Sequence, residues 1–209
     1  MDDSGVGDTY RQFVELKGNA IVNTPVETPF SNQKVAYCES RLSQVTEQSE
    51  SYKDSNGRIQ TRTRKVENTI SNEKTTEPVY LQDNSGKKIL LDLCASGLDL
   101  DIPKSFDRFE PKNNINNYRY FNKHSYNNAD TLGFKMTEKT IKEDQALYVI
   151  GEVFRNGNEL ILGKPMDSKK PFIVTTKSEE DLVNTSKNNS TLALIGGIIL
   201  IIMGIIMLF

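Results

Sequence analysis

Apolar positions along this chain recur in short alternating runs separated by turn residues, until the last eighteen residues, which carry no charge at all. Alternation with a period of two marks a half-buried strand. It appears in residues 13–21, in 34–45 (KVAYCESRLSQV), in 79–92 (VYLQDNSGKKILLD) and in 97–103 (GLDLDIP). Residues 146–154 (ALYVIGEVF) are almost continuously apolar and predict a further strand, followed by strands at 159–163 (ELILG) and 172–175 (FIVT). Residues 133–144 fit a strand or a short helix equally well.

Turn chemistry sets the connections. Asp54-Ser55-Asn56-Gly57 contains Asn-Gly, whose two positions tolerate positive φ, so a hairpin is expected there. Glu47, Glu50 and Asp54 precede this turn and Arg58, Arg62, Arg64 and Lys65 follow it, so antiparallel pairing would set acids against bases along a projecting hairpin. Asp83-Asn84-Ser85-Gly86 and Asn156-Gly157 mark two more turns. Ser178 is a natural N-cap for a short helix running to about Val183, with Glu179, Glu180 and Asp181 in its first turn, where acids suit the helix dipole. The asparagine-rich stretch 113–130, with Tyr118, Tyr120, Phe121, Tyr126 and His124, reads as a surface insertion, or else as an aromatic contact surface.

Residues 192–209 read LALIGGIILIIMGIIMLF. As a helix they would span ~27 Å, close to the ~30 Å hydrocarbon core of a bilayer. A core helix would show a polar stripe, and this run has none. It is read as a C-terminal tail anchor making the chain an integral membrane protein. The start of the chain, Met1-Asp2-Asp3-Ser4, has no secretory leader, and Lys187 flanks the apolar run, so the domain is expected on the cytoplasmic side of the cell membrane. Ala193, Gly197 and Gly204 are small residues at spacings that allow close helix–helix approach, hence a possible self-association within the membrane. The expected division is a loose N-terminus at 1–12, a β-rich domain at 13–183, a linker at 184–190 and the transmembrane helix at 191–209. The short linker would hold the domain against the headgroups, where Lys169, Lys170, Lys177 and Lys187 face anionic lipid.

Composition narrows the chemistry. The 26 basic and 28 acidic residues leave a net charge of −2, which gives no steering toward nucleic acid. Cys38 and Cys94 are the only cysteines and read as two half-buried thiols in a reducing compartment. A lone histidine in a loop-like stretch assembles neither a nucleophilic triad nor a metal centre. No phosphate-cradling GxxxxGK[ST] or GxGxxG is present. Asp99 and Asp101 are at most a weak cation site. No catalytic residue, cofactor or metal is therefore expected.

The order of pieces carries more information than any one of them. LKGNAI, VAYCE after PFS, VYLQDNSGKKILLD, LYVIGEV, LILGKPMD and PFIVTTKSEEDL, followed by a membrane run, closely resemble the GIDE or "beside a membrane" domain. That domain forms the non-RING part of membrane ubiquitin ligases of mitochondria and chloroplasts. The matching motif positions are Tyr148, Gly151, Glu152, Gly163, Lys164, Pro165, Ser178 and Glu179. The resemblance implies a mainly β, α+β domain, an antiparallel or barrel-like sheet with long hairpins and a short helix, next to one transmembrane helix. It also implies a ubiquitin-ligase family label. A RING holds each zinc ion with four Cys or His ligands. Two cysteines and one histidine cannot fill even one such site, so this chain is expected to be a prokaryotic-type member without the RING. The expected role is a non-catalytic binding or scaffold module for a protein partner at the membrane surface. The alternative is an accessory or ligase-labelled member of a ubiquitin-like modification pathway.

Overall fold

A computed structural model describes residues 10–117 and 130–178. In these residues the chain forms β1 (Arg11–Val22), β2 (Val26–Glu27), β3 (Lys34–Val35), β4 (Tyr37–Lys53), β5 (Ile59–Lys74), β6 (Val79–Gln82) and β7 (Lys88–Leu91). It continues with β8 (Asp99–Asp101), β9 (Lys104–Pro111), a 3-10 turn at Lys112–Asn117, β10 (Thr131–Ile141), β11 (Ala146–Asn156), β12 (Glu159–Gly163) and β13 (Ile173–Thr175). The protein is mainly β, as the alternating pattern requires. The helix expected after Ser178, the motif position Glu179, most of the asparagine-rich stretch, and the apolar run with Ala193, Gly197 and Gly204 lie outside the described residues. Among the described residues no helix is long and apolar enough to cross a membrane.

The chain divides into two compact units. Of the described residues, one gathers 10–20, 80–102 and 144–178, and the other 21–79, 103–117 and 130–143. In the first unit the strands are hydrogen-bonded in the order β1-β6-β7-β12-β11-β13-β8, and β1 also pairs with β11. That extra pairing closes a circuit of five strands, β1-β6-β7-β12-β11 and back to β1. β7 and β12 run parallel, whereas β11 runs antiparallel to both β1 and β12. Five strands joined in this way make a small Greek-key barrel of the OB type. β11 is its centre. One edge pairs with β1 from Arg11↔Phe154 to Asn19↔Ala146, and the other is shared end to end by β12 and β13. Covered on both faces, β11 buries Leu147, Tyr148, Val149, Ile150 and Val153, and that is why its sequence is nearly all apolar. Each such side chain contributes about 1.5–3 kcal/mol of burial.

The second unit is a four-stranded sheet, β5-β4-β10-β9, with the two-stranded ribbon β2-β3. β4 pairs with β10 only as far as Thr46 but with β5 all the way to Lys53. Residues 47–65 therefore project as the two-stranded arm expected from the turn at Asp54, and Gly57 in that turn has φ 74°. The expected charge pairing is present: Glu47 lies opposite Lys65, and Glu50 opposite Arg62, whose Nη2 is 3.2 Å from Glu50 Oε2. Exposed ion pairs of this kind stabilise the arm by well under ~1 kcal/mol each.

The structure departs from, or adds to, the expected pattern in three places. Residues 34–45 are two strands with a break at Ala36. Residues 104–111 form β9, an edge strand whose only apolar side chains, Phe106 and Phe109, are too widely spaced to alternate. Residues 131–141 are a strand, and the ambiguity there has a specific cause. Phe134, Met136, Glu138 and Thr140 are the buried face of β10, so a glutamate occupies a core position. Its carboxylate accepts hydrogen bonds from Phe30 N (2.6 Å), Ser31 N (3.3 Å) and Ser31 Oγ (2.5 Å). This pins the β2–β3 turn over the cluster of Phe30, Leu42, Phe134 and Met136.

The two thiols are also unlike each other. Neither is in a disulfide, but Cys38 is buried on β4 while Cys94 is exposed. Burial, aided by the charges of Glu138 and Glu39, pushes the Cys38 thiol up to about 12. Since the thiolate is the reactive form, Cys94 should be modified by a maleimide in the folded protein and Cys38 only after unfolding. Equal labelling of both in the native state, read by mass spectrometry, would contradict this burial pattern.

Candidate functional site

A cleft lies in the barrel unit, where four segments converge. β1 supplies Lys17, Gly18 and Asn19; the β6–β7 turn supplies Asp83, Asn84 and Ser85; the start of β11 supplies Ala146, Leu147 and Tyr148; and the chain leaving β13 supplies Thr176, Lys177 and Ser178. The cleft encloses about 680 Å³, within the ~300–1,000 Å³ range of ligand pockets. Local sequence explains how each wall is placed. Lys17 sits directly across from Tyr148 in the β1–β11 register. Gly18 lets β1 approach β6, for a Cβ there would lie 2.4 Å from Gln82 O.

The turn wall is held by hydrogen bonds of its own. Asp83 Oδ1 accepts from Ser85 N (2.9 Å), Ser85 Oγ (2.7 Å) and Lys87 N (3.0 Å). These contacts, the Ser85 hydroxyl foremost, hold the Asp83 carboxyl below its ordinary range. It is thus an anion at neutral pH, already occupied within its own turn. On the opposite wall Lys177 N donates to Thr175 Oγ1 (3.0 Å), and Lys177 Nζ stands 2.8 Å from Asp101 Oδ2. Lys17 Nζ lies 5.5 Å from the centre of the Tyr148 ring, a cation–π distance. Asn19 Nδ2 donates to Asp144 Oδ1 at 2.8 Å and so closes the end of β1. Lys17 and Lys177 both line the cleft, and its one carboxylate, Asp83, keeps Oδ1 within its own turn.

The motif positions separate into two places. Tyr148 and Ser178 line the cleft. Gly151, Glu152, Gly163, Lys164 and Pro165 gather where β11 meets β12. There Glu152 and Gly163 are register partners, and a Cβ on Gly151 would lie 2.8 Å from Gly163 O and 2.9 Å from Phe172 Cδ2. Glu152, itself nearly buried, accepts from Met166 N at 2.8 Å and pairs with Arg11 Nη1 at 3.3 Å. Pro165 is buried and Lys164 exposed, with Lys164 Nζ reaching over Gly97. This group shapes the barrel and the loop after β12; it offers no reactive set. Asp99 and Asp101 do not form a cation site, since Asp101 is engaged by Lys177. Among the described residues no cluster of His, Cys, Asp and Glu could hold a metal ion. Lys17 and Asp83 carried no signal as ligand contacts in the sequence; the turn at Asp83 was visible, but the placing of Lys17 across from Tyr148 depends on the β1–β11 register.

A family model, GIDE, described as "E3 Ubiquitin ligase", matches residues 47–209. No curated protein and no solved structure matches the chain.

Proposed function

The chain belongs to the GIDE family, and from that premise we propose that it is a membrane-anchored, non-catalytic binding module related to membrane ubiquitin ligases, working by contact with a protein partner at the membrane surface. The observation that carries this reading is the uncharged run at residues 192–209, which follows the β-rich part of the chain within the matched region. The span is expected to be a single helix with the β units on the cytoplasmic side. Ala193, Gly197 and Gly204 would be its packing face if the helices self-associate. After alkaline extraction the full chain should stay with the bilayer fraction. Release into the aqueous phase would end the anchor reading.

The non-catalytic part of the proposal rests on ligand arithmetic. Two cysteines and one histidine in these 209 residues are too few for the zinc platform of a RING. Supplied with activating and conjugating enzymes, the chain by itself should build no ubiquitin chains and hold no stoichiometric zinc. Self-modification that depends on this chain would overturn the assignment. The family description favours one second reading, in which the module recruits a separate ligase subunit. Co-purification of a RING-bearing protein with the anchored chain would select it.

A further inference from the structure

We infer that the cleft between β1, the β6–β7 turn and the chain leaving β13 binds a phosphate-bearing amphiphile, its phosphate between Lys17 and Lys177 and its carbon framework against Leu147 and Tyr148. The inference rests on the membrane-surface reading only for the source of the ligand; the chemistry comes from the cleft itself. The lining holds the ammonium groups of Lys17 and Lys177, with Asn84 and Thr176 beside them. Its one carboxylate, Asp83, keeps its charge but has Oδ1 turned into its own turn, where it accepts from Ser85 and Lys87. The ion pair with Asp101 positions Lys177 Nζ without exhausting it, because an ammonium has three N–H groups. A phosphate brings acceptor oxygens alone and can meet several such donors at once, whereas a cation would meet two ammoniums. The Tyr148 ring beneath Lys17 is the apolar surface nearest the ammonium, with Leu147 beside it in the lining.

Position favours a lipid as the source. Ser178 is a wall of the cleft, and thirteen residues separate it from Leu192, the first residue of the apolar run. Fully extended, that stretch reaches at most ~45 Å, so headgroups of the bilayer are within range of this unit. A soluble phosphate compound shares the recognising chemistry, and the test separates the two.

The full chain, purified in a neutral detergent, is analysed by native mass spectrometry after addition of phosphatidylglycerol or phosphatidylcholine, and inorganic phosphate is titrated in parallel by NMR. One phosphatidylglycerol should be retained per chain, with affinity lowered about tenfold or more in K17Q/K177Q, as expected when two charge-assisted contacts are lost. The single K17Q variant, which leaves the Asp101 pair intact, should fall between, and K135Q/K139Q on the other unit should bind as the parent does. Saturation by inorganic phosphate with the same lysine dependence, but no lipid retention, assigns the site to a soluble phosphate compound. Binding of neither, or binding indifferent to Lys17 and Lys177, overturns the inference. A chain that survives alkaline extraction in the bilayer yet binds no phosphate refutes this inference alone and leaves the anchor reading standing.

Discussion

Glu138→Ala should destabilise the protein by about 3 kcal/mol, because hydrogen bonds to a charged group are the strong ones and their loss strands buried donors. Glu138 is 0 % exposed. Its carboxylate receives Phe30 N, Ser31 N and the Ser31 hydroxyl, and Ser31 Oγ in turn lies 2.7 Å from Thr28 Oγ1. Alanine leaves a cavity beneath the β2–β3 turn and two amide groups facing apolar side chains. Phe30, stacked on Phe106 at 6.3 Å between centroids, then loses the contact that fixes its backbone. For a chain of this size the loss corresponds to a melting shift of roughly 10 °C. Glu138→Gln keeps the shape and one acceptor, so it should cost less than alanine. The comparison is made by thermal and urea denaturation of the full chain in detergent. An alanine variant within ~0.5 kcal/mol of the parent would mean the turn is held by its own packing and not by the carboxylate.

Gly151→Ala should cost about 2 kcal/mol through overpacking, although Gly→Ala in a strand is otherwise favoured by chain entropy. The added carbon would stand 2.8 Å from Gly163 O, 2.9 Å from Phe172 Cδ2 and 3.2 Å from Leu162 Cδ1. Of these, the carbonyl belongs to a paired strand, so β12 must shift away from β11 and strain the barrel circuit where Glu152 ties it to Arg11 and Met166. Gly157→Ala provides the contrast. Nothing lies within 4 Å of a Cβ there, and only the φ of 61° is strained, at roughly 1 kcal/mol. Denaturation midpoints of the two variants separate the effects. A Gly151 variant no less stable than the Gly157 variant would show that β12 yields freely.

The strands legible in the sequence are those whose pattern has a local cause. Ala146–Asn156 is apolar because both faces are covered, and the hairpins at Asp54 and Asp83 are announced by residues that accept positive φ or cap their own turns. β10 was ambiguous because Glu138 breaks the apolar series of Phe134 and Met136, and its partners, Phe30 and Ser31, lie more than a hundred positions away. β9 carried no signal, since an edge strand needs little apolar surface. The candidate cleft was half visible. Tyr148 and Ser178 stood out as motif positions, whereas Lys17 and Asp83 looked like ordinary surface residues.

By itself the sequence determined the mainly β class, the tight turns at Asp54 and Asp83 with the charge pairing of the first, the family, the shortage of zinc ligands and the uncharged run at residues 192–209. These are properties of local pattern and of counts, which survive without coordinates. Only the tertiary structure decided that β1 closes onto β11, that each of the two units is built from segments distant in sequence, that Glu138 faces a core, and that Lys17 comes to lie over Tyr148 in a cleft that Lys177 also lines. Each of those is a long-range pairing. Its free energy comes from register and burial between segments far apart in the chain, and no run of neighbouring residues encodes it.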